Sequence, residues 1–292
     1  MENLSKILVP VDFSPRCRGA AQYAEALACL SGAEIALLHV VVYPVVPYGP
    51  SEALAYSSVT DFDEEHYARQ KLLLEGFLAD ELKDGRVRRV ALRGDPARVI
   101  REFAATERAD LIVMPTHGYG PFRRMLLGSV TAKVLHDAHC PVLTGPHMEG
   151  APEHNAIHFE RILCAVDFGL DTRPAFAWAV HFARESGARL ALLHVLPGST
   201  IRIGPIYFDP EWRERVAKQA RERMAALLDE FRIEGDVCIE TGDVADTVSQ
   251  AAREANASML VIGRGRSSGV LGRLRANAYA ILRESPCPVV TV

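Results

Sequence analysis

The sequence predicts an α/β protein made of two tandem domains, each a five-stranded parallel sheet with helices on both faces. Three observations lead there. The chain repeats itself: Lys6-Ile-Leu-Val-Pro-Val-Asp-Phe-Ser14 returns as Arg161-Ile-Leu-Cys-Ala-Val-Asp-Phe-Gly169, and Ala36-Leu-Leu-His-Val40 returns as Ala191-Leu-Leu-His-Val195, both 155 residues on. Gly94-Asp95 and Cys140-Pro-Val142 reappear in the same order as Gly242-Asp243 and Cys287-Pro-Val289, which makes this a duplication. Within each copy, short apolar runs alternate with amphipathic helical stretches, the pattern of parallel strands joined by right-handed crossovers. The length of 292 residues also suits two domains, each large enough for its own core.

In the first copy, Ile7–Val11 is an apolar strand ending at Asp12, and residues 15–31 read as an Ala-rich amphipathic helix. Ile35–Val41 is the second strand. Residues 43–60, with three prolines and small polar residues, read as a long loop. Asp61 with Glu64 makes a capping box for the next helix, whose apolar stripe is Tyr67, Leu74, Phe77, Leu78 and Leu82. Val87–Leu92 is the third strand, and Asp95-Pro96 supplies an N-cap and first helical residue for the third helix. Leu111–Met114 is the fourth strand, 129–138 the fourth helix and Pro141–Thr144 the fifth strand.

The second copy repeats these elements. Its strands are Ile162–Val166, Leu190–Val195, Asp236–Glu240, Met259–Ile262 and Pro288–Val292. Its long helix starts at Asp209-Pro210 and carries the stripe Val216, Ala220, Met224, Leu227, Leu228 and Phe231. Gly145–His158 is rich in Gly, Pro and His, a linker composition. The domains are therefore placed at residues 1–146 and 159–292, with 147–158 between them.

Composition excludes several functions. Net charge is −4, from 33 basic and 37 acidic residues, so there is no electrostatic case for nucleic acid or an anionic membrane. No apolar run approaches a membrane span, and the start of the chain does not read as a signal peptide. Six cysteines (Cys17, Cys29, Cys140, Cys164, Cys238 and Cys287) form no Cys-x-x-Cys pair and sit mostly in apolar runs. They are expected to be small buried hydrophobes in a reducing cytoplasm.

The stretch from Asp110 to Ser129 carries the chemistry. An apolar strand leads into a loop with glycines at 118, 120 and 128, and a helix starts at Ser129, read as its N-cap. Strand, glycine loop and helix N-terminus together suit a phosphate, because free backbone N–H groups and a partial positive charge converge there. Parallel sheets bind ligands beyond the carboxyl ends of their strands, so Asp12 and this loop share a crevice if the first and fourth strands are neighbours.

Val9-Pro-Val-Asp-Phe-Ser14, Leu37-Leu-His-Val40 and Thr116-His-Gly-x9-Gly-Ser129 resemble the universal stress protein family, and the two copies resemble its tandem members. The resemblance covers nearly the whole chain. It implies a strand order of 3-2-1-4-5 and, in many members, ATP or AMP in the crevice, with or without Mg2+. On the family's signature, Asp12 and Val40 would meet adenine and Pro10 would lie by the ribose. Thr116 and His117 of the loop are also expected to be nucleotide-binding, and Gly118, Gly128, Ser129 and Val130 would hold phosphates. Pro115 stands where the signature has its leading glycine, and proline offers no N–H for a ribose contact. The resemblance also implies that the fifth strands, which carry no charge, pair with each other as an intrachain pseudo-dimer; a homodimer is compatible with it.

The second copy departs further. Gly263 matches the leading glycine, but Arg266 stands at the second, and Arg275-Ala276 stand where the first copy has Gly128-Ser129. A closed or altered site is expected, with Arg264, Arg266, Arg273 and Arg275 as an alternative side-chain anion site. His39 and His194 read as satisfied core histidines, and His117 as a phosphate contact or a loop brace. The pairs His136/His139 and His154/His158 have metal-compatible spacing, but no cysteine or carboxylate is expected to complete either set, so no metal site is expected. No nucleophile–base pair stands by the phosphate loop, so an enzyme is not expected. Two classes remain: a non-catalytic nucleotide sensor of the stress response, or a stress protein binding a partner or another anion without nucleotide. A very slow ATPase is a third.

Overall fold

The computed structural model describes residues 4–42, 56–82, 86–117, 127–197, 210–265 and 276–292. The first copy runs β1 (Lys6–Val11), α1 (Pro15–Ser31), β2 (Glu34–Val41), α2 (Tyr56–Gly76), β3 (Val87–Arg93), α3 (Pro96–Glu107), β4 (Leu111–Val113), α4 (Ser129–Asp137) and β5 (Val142–Thr144). The second runs β6 (Arg161–Ala165), α5 (Thr172–Ser186), β7 (Arg189–Pro197), α6 (Pro210–Phe231), β8 (Asp236–Gly242), α7 (Val244–Glu254), β9 (Met259–Ile262), α8 (Ala276–Glu284) and β10 (Val289–Thr291). Most boundaries fall within a residue or two of the expected ones, the usual latitude at fraying ends.

All ten strands form one sheet, in the order β3-β2-β1-β4-β5-β10-β9-β6-β7-β8. Each copy contributes five parallel strands. The join is the antiparallel pair β5–β10, with Val289 opposite Thr144, Val290 opposite Leu143 and Thr291 opposite Val142. The fifth strands are thus central. Val142, Leu143, Val289 and Val290 are fully buried, and Thr291 donates its hydroxyl hydrogen to the Val142 carbonyl at 3.3 Å. The sheet's outer strands are β3 and β8. They carry Arg88, Arg89 and Arg93 on one side and Asp236 and Glu240 on the other, charges that discourage pairing with a stray strand.

Successive strand residues enter opposite layers, which is why the inner strands are largely apolar along their length. Ile7, Val9 and Val11 pack with α1, α2, α5 and α6 on one face; Leu8, Ala36 and Leu38 pack with α3, α4, α7 and α8 on the other. Helix α1 is Ala-rich because it lies across the strands at close range. A proline at its first position and Gly32 in the left-handed conformation after its last turn define its ends.

Three local expectations need correction. Helix α2 begins at Tyr56, so Asp61 lies inside it rather than at its start, and Glu64 reaches Arg93 at 2.7 Å. Its N-terminal residues are polar and hid the helix from periodicity; the rest of the expected loop, 43–55, lies outside the described residues. Tyr67 fixes the helix on the sheet through a hydrogen bond from its hydroxyl to the Ala91 carbonyl, 2.8 Å. Second, Cys29 and Cys238 are exposed rather than buried, whereas Cys17, Cys164 and Cys287 are buried as expected.

Third, the segment between the copies is more than a tether. It forms two 3-10 turns, Pro146–Gly150 and His154–Ala156, laid against α1. The approach is so close that a Cβ on Gly19 would stand 1.5 Å from the Met148 carbonyl oxygen, and Met148 itself is buried. The Gln22 side-chain oxygen accepts the His154 backbone N–H at 2.6 Å.

Candidate functional site

Strands β1 and β4 are neighbours, with β2 on the far side of β1, so the chain reverses its winding between them. A cleft of about 750 Å³ opens at their carboxyl ends. Pro10, Asp12, Val40, His117, Gly128, Ser129 and Val130 all line it. Residues that sequence reading missed also reach it: Cys17, His66, Gln70, Ile100 and Met114. His66 and Gln70 come from α2, one turn apart, and only the pairing of α2 with β3 reveals that they face the crevice.

The phosphate end is built from backbone. Gly128, not Ser129, is the N-cap of α4, and no side chain caps it. Ser129 is the first helical residue and is exposed. The glycine is required by proximity rather than by dihedral angle: its N–H bonds the Thr116 carbonyl at 2.8 Å, and a Cβ there would stand 3.2 Å from that oxygen and 3.4 Å from the His117 Cα. Thr131 ties the loop from the other side, donating its hydroxyl hydrogen to the Pro115 carbonyl at 3.0 Å. A helix N-terminus left uncapped at a cleft wall presents its first N–H groups to an anion. Gly118 lies outside the described residues.

Thr116 does not line the cleft. It is buried and hydrogen bonds His117 Nδ1 at 2.9 Å through its hydroxyl. His117 therefore braces the loop while facing the cleft, and burial, reinforced by Arg16, lowers its pKa. At the other end, Asp12 also serves the loop. Its Oδ1 accepts the Ser14 N–H at 3.0 Å and the Cys17 thiol hydrogen at 3.0 Å. Burial, with Asp12 beside it, pushes the Cys17 thiol up to about 12, so this cysteine is a hydrogen-bond donor and not a nucleophile. His39 Nδ1 meets the Val11 carbonyl at 2.8 Å, as expected of a satisfied histidine, and burial lowers its pKa. Its ring lies 4.4 Å from Phe13, which adopts a left-handed backbone to turn the chain after Asp12.

The second copy keeps this frame but narrows the cleft. Phe168 repeats the left-handed turn, His194 Nδ1 meets the Val166 carbonyl at 2.7 Å, and Asp167 Oδ1 accepts from the Gly169 N–H and the Thr172 hydroxyl. The crevice, however, is only about 320 Å³. Helix α5 starts at Thr172, two residues later than its counterpart in the repeat, and the preceding turn folds inward. Asp171 presses on Gly263, where a Cβ would stand 2.8 Å away.

Arg264 is not available to an anion. It is buried and donates to the Ala138 and Cys140 carbonyls of the first copy, and to the Thr291 carbonyl at 3.4 Å. It is a fastener between the two halves. Arg266, Arg273 and Arg275 lie outside the described residues, and Ala276 opens α8. The expectation that no cysteine or carboxylate joins His154 is corrected: the fold brings two from α1, and Glu25, Cys29 and His154 hold their ligand atoms within 4.8 Å of one another. His136 instead pairs with Asp137. No helix among the described residues is long and apolar enough to cross a membrane.

The model of the Universal stress protein family matches residues 3–144 and again 158–292. A universal stress protein of Mycolicibacterium smegmatis is 28% identical over 98% of this chain and 96% of its own length. One from Methanocaldococcus jannaschii is 37% identical over 49% of this chain and 82% of its own. Among solved structures, a universal stress protein of Archaeoglobus fulgidus superimposes with a TM-score of 0.65 at 23% identity, covering 99% of this chain and 96% of that one.

Proposed function

The chain belongs to the universal stress protein family, and on that premise we propose that its first half binds one adenine nucleotide, ATP or AMP, without turning it over. The second half binds none, and occupancy of the first cleft is the signal passed to a partner in the stress response. One observation carries the reading. The N-terminus of α4 has a glycine cap with no side chain on it, held against the wall of a cleft of about 750 Å³. The cleft is of the size that small-ligand sites occupy, with apolar walls and few polar groups.

Backbone N–H groups of Ser129 and Val130 would take the phosphates, in a place where a Cβ at residue 128 would crowd the loop. Pro10 and Val40 line the cleft with Asp12, giving an apolar seat for a base with one carboxylate beside it. Turnover is not expected. The buried thiol of Cys17 is protonated, His117 and His39 are held through Nδ1, and one oxygen of Asp12 is engaged in its own loop. Nothing in that set pairs a nucleophile with a base.

The test is to purify the full chain, denature it and chromatograph what is released, then titrate the emptied protein with ATP and AMP by calorimetry. One adenine-nucleotide site per chain supports the reading. Two equal sites, or none at all, overturns it.

A further inference from the structure

We propose that Glu25, Cys29 and His154 form a transition-metal site, suited to Zn2+, that clips the segment between the two halves onto helix α1. Glu25 and Cys29 are four residues apart on α1 and so lie on one face of it. His154 arrives from the second 3-10 turn. The three ligand atoms, a carboxylate oxygen, a thiol sulfur and an imidazole nitrogen, lie within 4.8 Å of one another. A side-chain rotation brings them to a common ion at about 2.3 Å for sulfur and about 2.0–2.2 Å for nitrogen and oxygen.

The chemistry of the set selects the metal. Thiolate and imidazole are poor ligands for Mg2+ or Ca2+ and good ones for Zn2+, and a single carboxylate completes a three-ligand set with the fourth position open. Burial sharpens the case. Glu25 is only 7% exposed, so its carboxylate oxygen is held in a fixed place beside the other two ligand atoms. Cys29 is exposed and His154 half-buried, and both line a hollow of about 670 Å³ at the surface, which gives the ion an entry route.

The site is also braced in advance. Gln22, one turn before Glu25 on α1, accepts the His154 backbone N–H at 2.6 Å. Further along, Gly19 and the Met148 carbonyl approach too closely for any side chain. Both contacts fix the path of the segment before a metal binds, which reduces the ordering cost of binding. On binding, Cys29 gives up its thiol proton to solvent and coordinates as thiolate, while His154 coordinates neutral, so uptake strengthens as pH rises toward neutrality.

The experiment loads the full chain with Co2+ as an optical probe and with Zn2+ for stability. The expected result is one Co2+ per chain, with a sulfur-to-cobalt charge-transfer band and the intense visible bands of a four-coordinate site. Cys29→Ser should remove the charge-transfer band, while Cys238→Ser, at the other exposed cysteine, should keep it. His154→Ala and Glu25→Gln should weaken binding at least about tenfold, and Gln22→Ala less than either, through lost bracing of the His154 backbone. Zn2+ should raise the melting temperature of the wild type and leave that of Cys29→Ser unmoved. The proposal fails if the wild type takes up no stoichiometric Co2+, or if the Cys29→Ser variant retains the band. Should Glu25→Gln not fold, the surface variant Cys29→Ser and His154→Ala still decide the matter.

Discussion

The two clefts start from one template and end differently. Both have an aspartate at the end of the first strand, a phenylalanine in the left-handed conformation after it, and a histidine bonded through Nδ1 to the preceding carbonyl. What differs lies at the helix starts. In the first half a glycine opens α4, and α1 begins immediately with Ser14-Pro15. In the second half α5 begins late, its leading turn packs against Gly263 beside a smaller crevice, and Arg264 is directed across the seam onto carbonyls of the other half. The lesson is that a cleft can be narrowed without altering the strands that frame it. In the second half, the residue after the leading glycine position serves the join between the halves.

That contrast can be broken or sharpened by substitution. The largest effect should come from Val290→Lys, which puts an ammonium group in the fully buried middle of the β5–β10 pair. An uncompensated buried charge costs about 3–5 kcal/mol. Chemical denaturation should show the loss; an unchanged midpoint would mean the halves do not share this strand. Next comes Arg264→Met. Leaving two or three buried carbonyls without their cationic donor should cost about 2–3 kcal/mol in the same assay. Its phosphate affinity should stay as it was. A fall in anion binding would instead make the second crevice a working site and dissolve the contrast.

Smaller effects sharpen it. Gly128→Val should weaken ATP or AMP binding at least tenfold, about 1.4 kcal/mol, because its Cβ would crowd the Thr116 oxygen and the His117 backbone. Gly263→Val, at the signature's leading glycine in the other half, should lower the melting temperature through its clash with Asp171 and leave calorimetric affinity alone. If the two variants lose affinity equally, the sites are equivalent.

The smallest effect is one of pH. Burial holds His39 and His117 below the ordinary histidine value, so the folded state binds their protons less readily than the unfolded chain does. Their contribution to stability is therefore present above the unfolded value, about 6.5, and is lost as pH falls through the folded values. His39→Asn should flatten the fall in stability between neutral and mildly acid pH. A slope identical to the wild type's would place the acid sensitivity elsewhere.

Most of the architecture was legible because it is written in short-range chemistry. Apolar runs of strand length, the Asp95-Pro96 start of α3 and the repeat at fixed offsets each have one physical interpretation. The glycine–serine boundary at 128–129 located the start of α4 at the cleft wall, although it misassigned the cap: Ser129 is the commoner capping residue, while proximity to Thr116 reserves that place for Gly128. What remained hidden depends on tertiary direction. Nothing local to Arg264 says whether it faces a ligand or the other half. Likewise, His66 and Gln70 enter the cleft only because Tyr67 seats α2 on β3, and Glu25 meets His154 across 129 positions of sequence. Thr116 shows the converse, a residue the motif includes and the geometry turns away.

The seam also sets a clock. Strand β5 is apolar and uncharged, and the strand that covers it is made much later: Val142 and its partner Thr291 stand 149 residues apart. At synthesis rates of about 5–20 residues per second, β5 waits roughly 7–30 s for β10. Folding of the first half, by contrast, involves nearer contacts and can finish well within that interval. A newly made first half therefore presents an unpaired edge to every neighbouring nascent chain, and two such halves on adjacent ribosomes can join each other in place of their own second halves. Crowding of ribosomes on one message should raise the yield of such exchanged pairs, and a slower second half should raise it further.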